Sequence, residues 1–78
     1  MILSLELNAD CDKVEFYFDR EGLTKFRQEL EKIDLQVGSE TAHVHLMTRE
    51  WGGDELTSEI MHEGNTLINH LKLICLNA

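Results

Sequence analysis

The spacing of the apolar residues changes at Asp19, and this change limits the chain to few folds. From Ile2 to Leu7 the residues alternate: Leu3, Leu5 and Leu7 fall on one side, Ser4 and Glu6 on the other. Val14, Phe16 and Phe18 repeat the pattern, with Lys13, Glu15 and Tyr17 opposite. Alternation is the mark of a strand with one buried face. The turn formers from Asn8 to Asp12 join the two runs into an antiparallel hairpin. Beyond Asp19, Leu23, Phe26, Leu30 and Ile33 lie on one stripe of an amphipathic helix. Asp19 is placed to cap it, and Phe18 and Leu23 to form a hydrophobic staple. Glu21–Lys25, Lys25–Glu29 and Arg27–Glu31 are opposite charges four apart, expected on the outer face. The helix is expected to end near Asp34 or Leu35, with Gly38 in the loop that follows.

Alternation returns from Thr41 to Met47, with Val44 and Leu46 inward and His43, His45 and Met47 outward. Thr48 to Asn65 has no clean period; Leu56 to Met61 is expected to run extended, and His62 to Asn65 to turn. Leu67 to Leu76 reads as a last strand, with Leu71, Leu73 and Cys75 inward and His70, Lys72 and Ile74 outward. A helix is the alternative there, since Leu67, Ile68, Leu71 and Ile74 also fit helical spacing. The order ββαββ predicts an α+β fold for residues 1–78 as a single domain. Its sheet is four-stranded and mainly antiparallel, in the order 2-1-3-4, with one helix packed on one face. A central parallel pair is the alternative.

The composition narrows the function. Fifteen acids against seven bases give a formal net charge of -8. Such a surface repels phosphate, which excludes nucleic acid, and speeds the arrival of a basic protein. No apolar run approaches the ~20 residues of a membrane span. The start of the chain lacks a basic n-region, so the cytoplasm is expected. Cys11 and Cys75 fit no zinc spacing and are expected as free thiols. No serine lies in a nucleophile elbow, and no glycine-rich phosphate loop follows a strand. A chain this short has little volume for a substrate pocket. The expectation is a protein that is not an enzyme and holds no cofactor.

Strand parity makes a joint prediction. If Leu3, Leu5, Val14, Phe16, Val44, Leu46, Leu71 and Leu73 meet the helix, the opposite face carries Ser4, Glu6, Lys13, Glu15, Tyr17, His43, His45, His70 and Lys72. That face is either simply solvated or a protein-binding surface, for which Tyr17, His43, His45 and His70 are suited. A third reading is a metal site. His43 and His45, about 6.6 Å apart along a strand, would hold the ion with His70 or Glu15 completing the set. Trp51 is the only tryptophan, and Gly52 and Gly53 follow it. Glu50, Asp54 and Glu55 flank it. The indole either closes one end of the core or stands out as an anchor among acids, suited to a Lys/Arg-rich site.

The segment His45-Leu46-Met47-Thr48, then Trp51-Gly52-Gly53, Glu55-Leu56 and Leu67-Ile68-Asn69-His70-Leu71-Lys72, resembles the immunity protein 32 type family of bacterial polymorphic toxin systems. The strand–"EGL"–helix run from Val14 to Phe26 also fits, so the resemblance covers about two-thirds of the chain. Arg49-Glu50 stands where that pattern has a proline. The resemblance implies an inhibitor made beside a secreted toxin, binding it in the producing cell. The contact set expected on this reading is Trp51, Glu50, Asp54, Glu55, Tyr17, His43, His45 and His70. The alternative is a general interaction domain that forms a homodimer through a strand edge.

Overall fold

The computed structural model describes residues 1–36, 38 and 40–77. The elements run β1 (Leu3–Leu7), β2 (Val14–Phe18), α1 (Arg20–Asp34), β3 (Thr41–Met47), a 3-10 turn (Arg49–Trp51), β4 (Thr66–Leu67) and β5 (His70–Leu76). The α+β class, the hairpin, the helix and the bounds of β3 are as expected. Asp19 caps the helix, its Oδ1 accepting from the Gly22 N–H at 2.8 Å. Asn8 organises the hairpin loop: its Oδ1 accepts from the N–H groups of Asp12 and Lys13 at 3.0 and 2.9 Å. Cys11 and Cys75 are free and exposed. Among the described residues no helix is long and apolar enough to cross a membrane.

The sheet differs from the expectation. Instead of one four-stranded sheet there are two among the described residues, β2-β1-β4 and β3-β5, all antiparallel. The last segment is a strand, not a helix, but it serves both sheets. Thr66–Leu67 pairs with β1, and the Ile68 N–H still reaches the Leu5 carbonyl at 2.9 Å. Two residues later the chain has left β1 and pairs with β3. The place it vacates beside β1 is taken by Thr57, whose N–H donates to the Leu3 carbonyl at 2.7 Å while its hydroxyl accepts from the Leu3 N–H. Leu56 to Met61 is therefore not a strand; it meets β1 through Thr57 at Leu3, the Glu59 carbonyl at the Ser4 hydroxyl and the Met61 N–H at the Glu6 carboxylate, without a ladder.

Helix α1 lies mainly against β3. Leu3, Val44, Leu46 and Leu56 form the buried cluster, with Phe16, Phe26, Ile33, Leu71 and Leu73 packed against it. The inward parity holds for these residues, but Val14 and Cys75 are exposed, because the helix does not reach the sheet margins where they sit. The helix is also turned from the expected stripe. Gly22, Phe26, Glu29 and Ile33 face in, whereas Leu30 is exposed. The cause is Gly22: a Cβ there would lie 1.7 Å from the Ile2 carbonyl oxygen, so the missing side chain lets the helix close onto the start of β1. Glu29 is 2% exposed and is held by Lys25 at 3.1 Å and Lys32 at 2.8 Å. Of the three expected ion pairs on α1, only Lys25–Glu29 forms, and it does so on the inner side.

Candidate functional site

The face that parity leaves to solvent is divided in two. Over β1 and β2 it is covered. Ser4 and Glu6, expected outside, are fully buried because the segment from Leu56 to Asn65 folds across them. Glu6 is the fixing point. Its carboxylate accepts from the Ser4 hydroxyl at 2.6 Å, the Met61 N–H at 2.7 Å, the His62 N–H at 3.3 Å and the Asn65 amide at 2.9 Å. Burial alone raises a carboxyl pKa, but these four donors outweigh it and hold Glu6 below its ordinary value of 4.5. Asn65 also donates to Glu15 at 2.9 Å. One amide thus bridges two acids that stand directly opposite each other on β1 and β2. Tyr17 belongs to this covered half. It is half-buried beside Glu15, and burial followed by the Glu15 charge pushes its hydroxyl pKa up.

Over β3 and β5 the face stays open. His43, His45 and His70 are exposed, and their rings form a row. His43 and His45 meet edge to face at 5.2 Å between centroids, and His45 and His70 are 5.0 Å apart. His45 Nδ1 lies 2.7 Å from His70 Nε2, a hydrogen bond that needs one N–H and one lone pair. Partial burial, then the neighbouring His70, His43 and Lys72, hold the His45 pKa below 6.5. Lys72 stands directly across from His45, so the row is bordered by a base.

Trp51 ends this row. Its ring lies 6.2 Å from that of His70 and is 58% exposed. The tryptophan does not close the core. The two glycines explain its position. Gly52 adopts a φ of 96°, a left-handed conformation that glycine adopts without penalty. At Gly53 a Cβ would crowd the Met47 carbonyl oxygen at 2.7 Å. The turn they permit is tight, with the Thr48 carbonyl accepting from the N–H groups of both Trp51 and Gly53 at 3.0 and 3.1 Å. Thr48 is itself fully buried, its hydroxyl donating to the Asn69 side chain at 2.7 Å. The Thr48–Asn69 contact therefore fixes the Trp51 turn to the point where the last strand changes sheets. One clue to it is local: Thr48 shares inward parity with Leu46. Its partner could be known only from the strand pairing.

The flanking acids are placed less simply than a ring around the indole. Glu50 and Asp54 are exposed, but Glu55 turns back and accepts from the Asp54 N–H at 2.6 Å. Asp54 and Glu55 lie near enough to Lys32 on α1 to raise its pKa, after the larger effect of Glu29. The eight expected contact residues are thus only partly gathered. Trp51, His70, His45 and His43 are contiguous, Glu50 belongs to the same turn, Asp54 and Glu55 lie toward the helix, and Tyr17 is on the other sheet.

The third reading, an ion held by His43 and His45 with His70 or Glu15, finds no such set. Glu15 is bound to Asn65 on the covered half, and among the described residues no group of three or more His, Cys, Asp or Glu is arranged to hold an ion. Two open depressions lie along α1, one between Thr24, Arg27, Gln28 and Glu31, the other at Phe18, Asp19, Arg20 and Leu23. Neither includes a residue of the imidazole row. Compared with known proteins, the chain matches no family model, no curated protein and no solved structure.

Proposed function

We propose that this chain is a small acidic immunity-type protein that binds a cognate basic bacterial toxin and blocks it, acting in the cytoplasm of the producing cell and catalysing no reaction itself. The observation that carries the reading is the exposure of Trp51, 58% open on a turn built from two glycines and a buried threonine. A lone indole in a small domain ordinarily fills the core. This one is held out at the end of a row of imidazoles, beside His70, where it can be desolvated by a partner. Binding energy at protein interfaces concentrates in such aromatic anchors. Imidazoles beside it can donate or accept at low cost in rotamer freedom. The net charge of -8 supports fast encounter with a cationic partner, an advantage that shrinks as salt rises.

The test is calorimetry against the product of the neighbouring gene. Trp51→Ala should weaken binding about 30-fold or more and leave the melting temperature within a degree or two of the parent. Unchanged affinity would remove Trp51 from the interface. A large drop in melting temperature would make the ring a structural element instead.

A further inference from the structure

The two outer edges of the β3-β5 sheet are treated differently. On β3 the free edge is capped from within at two of its outward-facing residues, His43 and Met47. The Gln36 side chain accepts from the His43 N–H at 3.2 Å and donates to the His43 carbonyl at 2.9 Å, and the Met47 carbonyl accepts from Leu56 at 3.1 Å. These contacts also fix the parity of the ladder. His43 points its backbone away from β5, so its cross-strand neighbour Ile74 points away from β3. The Asn77 N–H bond to the Glu40 carbonyl at 2.9 Å, one rung further, agrees. Lys72, Ile74 and Leu76 therefore turn their N–H and C=O groups outward, and among the described residues these groups meet no partner. The side chains there are apolar and open: Ile74 is 52% and Leu76 71% exposed.

Exposed edges are normally guarded by charge, proline or a covering segment. This one has a single Lys72, no proline, and no acid anywhere from Gly64 to Ala78, in a chain with 15 acids. A two-stranded sheet is also marginal alone, and a third and fourth strand would stabilise it.

We infer that the β5 edge pairs with the β5 edge of a second copy, antiparallel about a two-fold axis at Ile74. Ile74 then lies opposite the partner's Ile74, and Lys72 opposite the partner's Leu76. Each pair exchanges N–H···O bonds in both directions, and the result is one sheet in the order β3-β5-β5-β3. Moving the axis to Lys72 would set two ammonium groups against each other, which is unfavourable. The charge pattern selects a second copy over a strand from a basic partner. The edge offers a cationic strand no acid, whereas a copy of itself brings Lys72 to an apolar neighbour. An isologous contact of this kind closes as a dimer. The edge runs away from His70 and Trp51, although Ile74 stands across from His43; the dimer is read from the association of the chain with itself and the toxin-binding reading from Trp51→Ala, so the two stand or fall separately.

Sedimentation of the whole chain over a concentration series, with amide exchange followed by NMR, decides it. A monomer–dimer equilibrium is expected, tightening as salt screens the repulsion between two bodies of charge -8. The Lys72, Ile74 and Leu76 amides should exchange slowly when concentrated and quickly when dilute. Ile74→Lys should abolish the dimer while the circular dichroism of the monomer stays unchanged. Should that variant unfold, the exchange data on the parent protein decide alone. A monomer up to millimolar concentration, a dimer in which these three amides stay unprotected, or open-ended larger species would each overturn the inference.

Discussion

Gly22 is the residue on which the rotation of the helix depends. With the Ile2 carbonyl oxygen 1.7 Å from where a Cβ would stand, no side chain fits unless backbone moves. Alanine is the better helix former, yet Gly22→Ala should destabilise the protein by about 3 kcal/mol or more, measured by urea unfolding. A neutral or stabilising result would mean that α1 does not press on β1. Glu6 acts at the same scale. Glu6→Gln keeps the shape but replaces one acceptor by a donor facing backbone N–H groups, and should cost on the order of 2–3 kcal/mol at neutral pH. Because the folded pKa lies below the ordinary 4.5, the parent gains stability from Glu6 above that pH. It loses this gain as the pH falls through the folded value. Unfolding curves between about pH 6 and 3 should therefore converge for parent and Glu6→Gln. Parallel curves would show that Glu6 is not ionised in its pocket.

At the scale of elements, the imidazole row joins β3 to β5 through a single shared proton. The His45–His70 contact exists while at least one facing nitrogen carries a lone pair, so protonation of both rings breaks it. The folded pKa of His45 is depressed from 6.5 by partial burial and by His70, His43 and Lys72. Its contribution to stability is present above 6.5 and is lost as the pH falls toward the folded value. The His45 ring proton followed by NMR should titrate below 6.5 in the parent and closer to it in His70→Ala. No change in that variant would show that the two rings do not share a proton. Elements were also what the sequence made most legible. The hairpin, α1 and β3 each follow from a pattern complete within a few residues, as do the Asp19 cap and the Asn8 loop. His62–Asn65 also turns as its residues predict, the Asn65 N–H donating to the His62 carbonyl at 3.1 Å, but Leu56–Met61 has no such pattern, because its structure comes from Glu6 and Leu3, more than fifty residues upstream.

For the whole molecule, the illegible part was the division of one outward face into two. Ser4 and Glu6 have the same alternation as His43 and His45, and nothing local tells a covered position from an open one. The difference lies in which half the Leu56–Asn65 segment crosses. The site was legible to the same degree. The sequence identified Trp51 and the three histidines, while their contiguity depends on β5 pairing with β3 in one register. The acids near the indole were visible as neighbours in sequence, but Glu55 turns back onto its own loop and, with Asp54, lies toward Lys32. The strand that leaves β1 for β3 at Ile68–Asn69 also orders the chain's synthesis. A polypeptide emerging from the ribosome can form the β1-β2 hairpin and α1 early, since their contacts are local. Neither sheet is complete until Thr66–Leu76 has been made. Until then β3 has no partner strand, and the side of β1 away from β2 is met only through Thr57 and the Glu59–Met61 backbone. Long-range closure of this kind slows folding, and the waiting apolar strands are open to misassociation. The nascent protein is thus most vulnerable in the interval just before its last strand arrives.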